Sequence, residues 1–208
     1  LYFDPPDEGD IVLVAGNPGR TSRLRSVAEL EFERDVNLPW QIEGLTEQRA
    51  QISAYAAQGP DQARIASSAL QSVENSLKGL TGRRNALLDA TGFAQVRARE
   101  ADLQARVARN RAAARDMGDA WGEVARAQRA YRQIFHLYQH LELRAGERSL
   151  LFAWARDLVR GAAERAAPNG QRLARYADAR LPAIAATMRT ETPVTPAFEA
   201  LHLRVWLE

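Results

Sequence analysis

The strongest constraint on the fold is that the chain contains one convincing β-strand and offers no partner for it. Residues 10–15 form an apolar, β-branched run between two turn-like segments rich in Pro and Gly. A lone strand leaves its backbone N–H and C=O groups unpaired, so it needs other strands. Residues 1–20 are therefore predicted to be a strand and turn remnant of a β domain. The start at Leu1, without Met, predicts a segment of a longer protein.

The rest of the chain, residues 21–208, is predicted to be a helical domain. Thr21 or Ser22 can cap the first helix, and Pro39 suits the first turn of the second. Glycines then end the third helix at 79–82. The predicted helices cover about 22–36, 39–58, 61–79, 94–115, 117–138, 147–167 and 197–206. A kink or cap is expected at 117–119, shorter helical pieces at 171–188 and a loop at 191–196. The expected fold is a mostly α, elongated multi-helix bundle with a short N-terminal β-strand stub.

One helix carries a long apolar seam whose members recur at alternating spacings of four and three. Such a stripe is typical of a packed amphipathic helix or an antiparallel coiled coil. Its members are Met117, Trp121, Val124, Gln128, Tyr131, Phe135 and Tyr138.

Composition excludes several classes of function. The 208 residues include no Cys, so disulfides, thiolate metal sites and cysteine nucleophiles are ruled out. No run of about 18 apolar residues is present, so no membrane-spanning helix is predicted. The net charge is only +2, and the Arg-rich run 97–115 has no aromatic residue for stacking on bases. We therefore predict no nucleic-acid partner and no membrane partner.

The chain carries no convincing catalytic or metal motif. Residues 16–21 lie between strand and helix as a phosphate loop does, but they lack its Lys and its spacing. His136 and His140 are four residues apart and share a helix face, yet the Glu of a zinc-binding HExxH motif is missing. No Gly-x-Ser-x-Gly sequence is present. No catalytic residue, metal or cofactor is predicted.

The helix predicted at 61–79 has two distinct faces. An apolar stripe faces a core, and it comprises Ile65, Ala69, Val73, Leu77 and Leu80. A second stripe of small and polar residues lies roughly opposite, and it comprises Ser68, Ser72, Asn75 and Gly79. This second face is either plain exposed surface or a place where a ligand approaches closely. Asn75 offers it both an amide donor and a carbonyl acceptor.

Two motifs resemble the bacterial dipeptidyl peptidases of serine peptidase family 46. The first is the strand-turn-helix segment 8–23, which follows the family's pattern of Gly-Asp, an apolar strand and then GxPGxTxR. The second is 74–78, Glu-Asn-Ser-Leu-Lys, at the expected distance along the chain. The helical succession through 198–201 also fits, so the resemblance covers essentially the whole chain.

The resemblance implies a chymotrypsin-like double β-barrel interrupted by a helical domain that caps the active-site cleft. This chain then corresponds to that helical insert and the strand before it, without the catalytic Ser, His and Asp, and is expected to be inactive alone. Asn75 would help to hold the ammonium of a peptide substrate with a free N-terminus. The partner would be the β-barrel catalytic domain, and the expected location is periplasmic or secreted.

A different interpretation of the same chain is a helical coiled-coil adaptor with no enzymatic role. It explains the seam at 117–138 equally well. It does not explain the isolated strand or the motif at 16–23.

Overall fold

The computed structural model describes Asp7, Gly9, Ile11 and residues 24–207, and it confirms a mostly helical chain. The α-helices are α1 (Val27–Phe32), α2 (Leu38–Ala56), α3 (Pro60–Leu88), α4 (Ala90–Arg109), α5 (Arg111–Met117), α6 (Ala120–Tyr138), α7 (Leu150–Glu164), α8 (Leu181–Met188) and α9 (Pro196–Leu207). π-helical turns occupy Glu33–Asn37 and Gln139–Leu143, and 3-10 turns occupy Asn169–Gln171, Ala174–Tyr176 and Asp178–Arg180.

The β-strand stub is not supported by the described part of the chain, which contains no strand. The predicted strand at 10–15 falls outside the described residues except for Ile11. The proposed boundary between 1–20 and 21–208 falls outside them as well.

The first helix begins at Val27, later than the predicted start near residue 22. Ser26 Oγ accepts from the backbone N–H of Glu29 at 3.3 Å, and Glu29 Oε2 accepts from the backbone N–H of Ser26 at 2.8 Å. This reciprocal capping box satisfies backbone donors that a first turn leaves unpaired. Thr21 and Ser22, the predicted caps, lie outside the described residues.

The predicted break between the first two helices is absent, and the chain stays helical from 27 to 56. Pro39 has no N–H to donate and its ring crowds the preceding turn. A π turn lies directly before it, and there the N–H of Leu38 donates to Glu33 O, five residues back. This wider turn takes up the defect without ending the helix.

The predicted end of the third helix at 79–82 is wrong, because α3 continues to Leu88. A glycine inside a helix costs about 1 kcal/mol relative to alanine. Burial of Val73 and Leu77 against α2 offsets that loss. Further along, an ion pair of 3.3 Å joins Arg83 to Glu33.

The predicted helix 94–115 is two helices, because Asn110 separates α4 from α5. Its backbone is extended, and its Oδ1 accepts from the N–H groups of Ala112 and Ala113 at 3.1 and 3.2 Å. Gly118, with φ of +51°, ends α5. The kink or cap expected at 117–119 is present as a cap, since α5 ends at Met117 and α6 begins at Ala120.

In the C-terminal third, the helix predicted at 147–167 is shortened to α7, and the last helix, α9, matches its prediction closely. The short pieces expected within 171–188 are 3-10 turns and α8, and residues 191–195 form a loop. Within the described residues, no helix has the length and apolar character needed to cross a bilayer.

The main core lies between α2 and α3, which form a helical hairpin closed by a short turn. The face predicted to be apolar on α3 is indeed the buried one. The buried members of this core are Leu45, Ile52, Tyr55, Ala66, Val73 and Leu77. Phe198 and Leu201 of α9 pack onto it from outside.

A second core joins α6 to α1 and the start of α2. Phe135 is fully buried, and its ring meets Phe32 and Trp40 at centroid distances of 5.3 and 5.4 Å. Tyr131 packs on Phe32 at 5.2 Å. The part of the seam at Tyr131 and Phe135 therefore packs against helices of its own chain, which accounts for part of the pattern behind the adaptor interpretation.

Candidate functional site

Asn75 lies on the exposed face of α3, at the edge of a groove of about 620 Å³. The groove runs between α3, the start of α2 and the segment that follows α6. Besides Asn75, its polar lining consists of Asn37, Gln41, Ser76, Gln139, Arg144 and Arg148. The face predicted to be small and polar thus borders a cavity.

The side chain of Asn75 forms no hydrogen bond with residues 24–207. Ser76 beside it donates to its own helix, at Ser72 O, over 2.8 Å. Gly79, one turn further on, also lines the groove, and a Cβ there would meet no atom within 4 Å. The amide of Asn75 is therefore free to bind a molecule in the groove.

The wall opposite Asn75 carries carboxamides that are held in fixed orientations. Glu33 is bound by Arg25 at 3.0 Å and by Arg83 at 3.3 Å. Its Oε1 accepts from Asn37 Nδ2 at 3.0 Å, and Asn37 Oδ1 accepts from Gln41 Nε2 at 2.8 Å. Gln41 keeps its carbonyl oxygen as a free acceptor, which suits contact with N–H groups.

A tight turn between α6 and α7 presents the two arginines of the groove. Gly146 has φ of +73°, and a Cβ there would overlap the ring of Phe152. Glu147 also has a positive φ, of +48°. No larger residue fits at Gly146 without displacing that ring, so the close approach fixes the course of the turn.

The groove is cationic, because its lining includes Arg144 and Arg148 and no carboxylate. Arg144 forms an ion pair with Glu147 and lies 5.2 Å above the centroid of Trp40. Arg148 donates from Nη1 to Ser72 Oγ at 3.2 Å. The groove by itself therefore offers amide acceptors and positive charge.

The two histidines considered as metal ligands are engaged with tryptophans. His136 lies 6.3 Å from the ring of Trp40, and His140 stacks on Trp206 at 5.0 Å with an interplanar angle of 17°. Across the described residues, no cluster of three or more His, Asp or Glu side chains has a geometry that could hold a metal ion.

The third histidine, His202 of α9, is buried and packs on Phe198 at 4.6 Å. Burial lowers the pKa of His202, which keeps the imidazole neutral. Nearby Ser149 is also buried, and its Oγ donates directly to Glu199 Oε2 at 2.7 Å. A serine whose hydroxyl is bound to a carboxylate inside the fold caps α7 and is no exposed nucleophile.

Sequence alone indicates Asn75 and Gly79 on one face of α3, but not the residues that other elements bring to the groove. The pair Asn37 and Gln41 shows helical spacing, yet nothing in the sequence indicates that it faces α3. Arg148 joins the groove only because the turn at Gly146 folds back toward Ser72. Only the tertiary packing brings these residues together.

Residues 3–208 match the sequence model of a family described as Peptidase S46. The match spans nearly the whole chain and includes the motifs at 8–23 and 74–78. No curated protein shows significant similarity to the chain.

Proposed function

Because the chain belongs to the peptidase S46 family, we propose that it forms the helical domain of a dipeptidyl aminopeptidase. That enzyme would remove dipeptides from the free N-termini of peptides. The observation that carries the proposal is the free amide of Asn75 in a polar groove, on the segment 74–78 that resembles a motif of the family.

In this proposal, Asn75 Oδ1 accepts a hydrogen bond from the α-ammonium of the substrate. An ammonium has three donors and no acceptor, so the carbonyl side of an amide suits it. The groove contributes no carboxylate, and the charge of the ammonium would be balanced by the β-barrel catalytic domain. The same barrel would supply the catalytic residues, with the helical domain covering its cleft.

The cap explains a restriction to N-termini in physical terms. A helical domain over one end of a cleft leaves room for a short stretch of peptide before the scissile bond. An ammonium site at that end binds a peptide with a free N-terminus more tightly than an acetylated one. The acetylated N-terminus is uncharged, so Asn75 loses its charged hydrogen-bond donor. We place the enzyme in the periplasm or outside the cell, as the family resemblance implies.

The first experiment compares a peptide with a free N-terminus with its acetylated form. The complete peptidase is expected to release dipeptide only from the free peptide, while residues 1–208 alone release none. Release from both peptides, or activity of the 208 residues alone, would contradict the proposal.

Substitution of Asn75 then tests its role in the complete enzyme. Asn75→Ala removes a hydrogen bond to a charged group, worth about 1.5–3 kcal/mol, so kcat/KM is expected to fall about 10–150-fold. Asn85→Ala, also exposed on α3 but outside the groove, is the matched control. Equal kinetics of both variants would remove Asn75 from the site.

A further inference from the structure

Arg148 brings to the Asn75 groove a positive charge that no carboxylate balances. Within residues 24–207, its polar contact is the bond to Ser72 Oγ at 3.2 Å, and no Asp or Glu lies within ion-pair distance. The other guanidinium of the groove, Arg144, is already paired with Glu147. Arg148 is exposed, so it can reach a molecule that enters from solvent.

The contact with Ser72 shows which part of α3 the Arg148 side chain approaches. Ser72 precedes Asn75 by three residues, and side chains at this spacing are neighbours on a helix, with Cβ atoms about 5–6 Å apart. The Arg148 guanidinium, which has no ion-pair partner among the described residues, and the free amide of Asn75 therefore lie about one helical turn apart on one wall of the groove.

We infer that Arg148 forms a subsite for the carboxylate of an acidic side chain on the first residue of the peptide substrate. This inference rests on the proposed function, since it assumes that the ammonium of the same residue binds Asn75. The ammonium and the side-chain carboxylate of an N-terminal Asp or Glu lie within one side chain's reach of each other. They match the acceptor and the cation that the groove presents.

Electrostatics favours this arrangement over a neutral first residue. An ammonium alone beside Arg148 is repelled by it, whereas a carboxylate between the two cations attracts both. The planar guanidinium also matches a carboxylate with two parallel hydrogen bonds. A peptide that begins with Asp or Glu is thus the substrate class that this groove selects.

The test measures kcat/KM of the complete peptidase for two peptides that differ only in Glu or Gln at the first position. Both peptides are amidated at the C-terminus, because a free C-terminal carboxylate could bind Arg148 in the same way as the side chain of Glu. The wild type is expected to prefer Glu by about 3- to 10-fold, since Arg148 is exposed and its contacts are partly screened. Arg148→Gln should bring the ratio close to one, and Arg148→Lys should restore part of it.

Arg49→Gln serves as the control, because Arg49 is exposed on α2 and does not line the groove. It is expected to leave the Glu-to-Gln ratio unchanged. An unchanged ratio in Arg148→Gln, with acetylated peptides still rejected, would overturn the subsite and leave the proposed function standing. If the wild-type enzyme also cleaves acetylated peptides, the proposed function itself is overturned.

A second arm separates the two sources of carboxylate. In this arm, kcat/KM is measured for two peptides that both begin with Gln, one with a free C-terminus and one with an amidated C-terminus. If Arg148→Gln alters only this second comparison, Arg148 binds a C-terminal carboxylate and the side-chain subsite is overturned. If it alters only the Glu-to-Gln ratio, the inference is supported.

Discussion

The α2–α3 hairpin and the region from α7 to α8 are stabilised in different ways. The hairpin buries aliphatic side chains, among them Ile52 and Val73, which have no exposed surface. In the second region, apolar residues such as Leu158 and Val159 remain 62% and 71% exposed.

Polar contacts hold that second region together instead. The carboxylate of Asp157 on α7 accepts from Arg175 Nε at 2.7 Å and from Tyr176 Oη at 3.1 Å. Asp157 and Tyr176 are both buried, and this cluster ties the 3-10 segment to α7.

The contrast matters for the groove, whose lining comes from the hairpin and from the segment between α6 and α7, and not from the polar cluster. Asn75 stands on the apolar hairpin, whereas Arg148 belongs to the turn that leads into α7. We expect that damage to the hairpin unfolds the domain, and that damage to the polar cluster loosens one part of it.

The largest effect is expected for Ile52→Ala. Truncating a fully buried Ile leaves a cavity, and the free energy of unfolding should fall by about 2–5 kcal/mol. Urea unfolding followed by circular dichroism measures the change. Ile134→Ala, at a residue 53% exposed, is the control and should change it by less than about 0.5 kcal/mol. Equal losses would show that the hairpin is no more tightly packed than the surface of α6.

Asp157→Asn is expected to have an intermediate effect, of about 1–3 kcal/mol. The loss is limited because the Arg175 side chain is 56% exposed and can return to water. Hydrogen exchange should increase mainly at 169–180. Increased exchange across α2 and α3 as well would contradict the idea that the two regions are stabilised separately.

The same cluster predicts a dependence on pH. The hydrogen bonds from Arg175 hold the pKa of Asp157 below its usual range near 3.9. A lowered pKa means that the cluster contributes fully above that value and is lost as the pH falls through the folded pKa. The stability difference between wild type and Asp157→Asn should therefore shrink as the pH drops below about 4. A constant difference would show that the carboxylate charge is unimportant.

The smallest effect concerns His202, where α9 meets the hairpin core. Burial lowers its pKa, so the unfolded chain binds the proton more readily. Stability should decrease as the pH falls through about 6.5, the value of a free histidine. The charged groups that act on it are Glu147 and Arg148 from the turn, and Glu199 from its own helix.

His202→Leu should flatten the stability profile between about pH 7 and pH 5, as measured by thermal unfolding. His136→Leu replaces an exposed histidine and is the matched control. Equal flattening in both variants would show that burial of His202 is not the cause.

The parts of the fold that sequence predicts are those fixed by local patterns. The apolar stripe of α3 and the break at Gly118 follow from periodicity and glycine chemistry, and both are present. The end assigned at 79–82 is wrong because packing against α2 outweighs the poor helix propensity of glycine. Ser26 and Glu29 form the capping box of α1, whereas the first hydroxyl residues after the turn, Thr21 and Ser22, predict an earlier cap.

The groove is harder to predict, because it depends on contacts between residues far apart in sequence. Asn75 is suggested by its place on a polar stripe and by the family resemblance. Arg148 approaches Ser72 across 76 positions of sequence, and no local pattern encodes that approach. The π turn before Pro39 is equally hard to predict. Proline in a sequence predicts the end of one helix and the start of another, whereas here the helix continues through a wider turn.

Gly79 makes the groove open to engineering. Alanine at Gly79 or at Gly82 would meet no atom within 4 Å, and each replacement should raise helix stability by about 1 kcal/mol. Only position 79 lines the groove, so only there does the added methyl group narrow the space beside Asn75. Gly82 can therefore be replaced by alanine to stabilise the helix without changing the groove. Replacement of Gly79 stabilises the helix equally but reduces the space for a ligand beside Asn75.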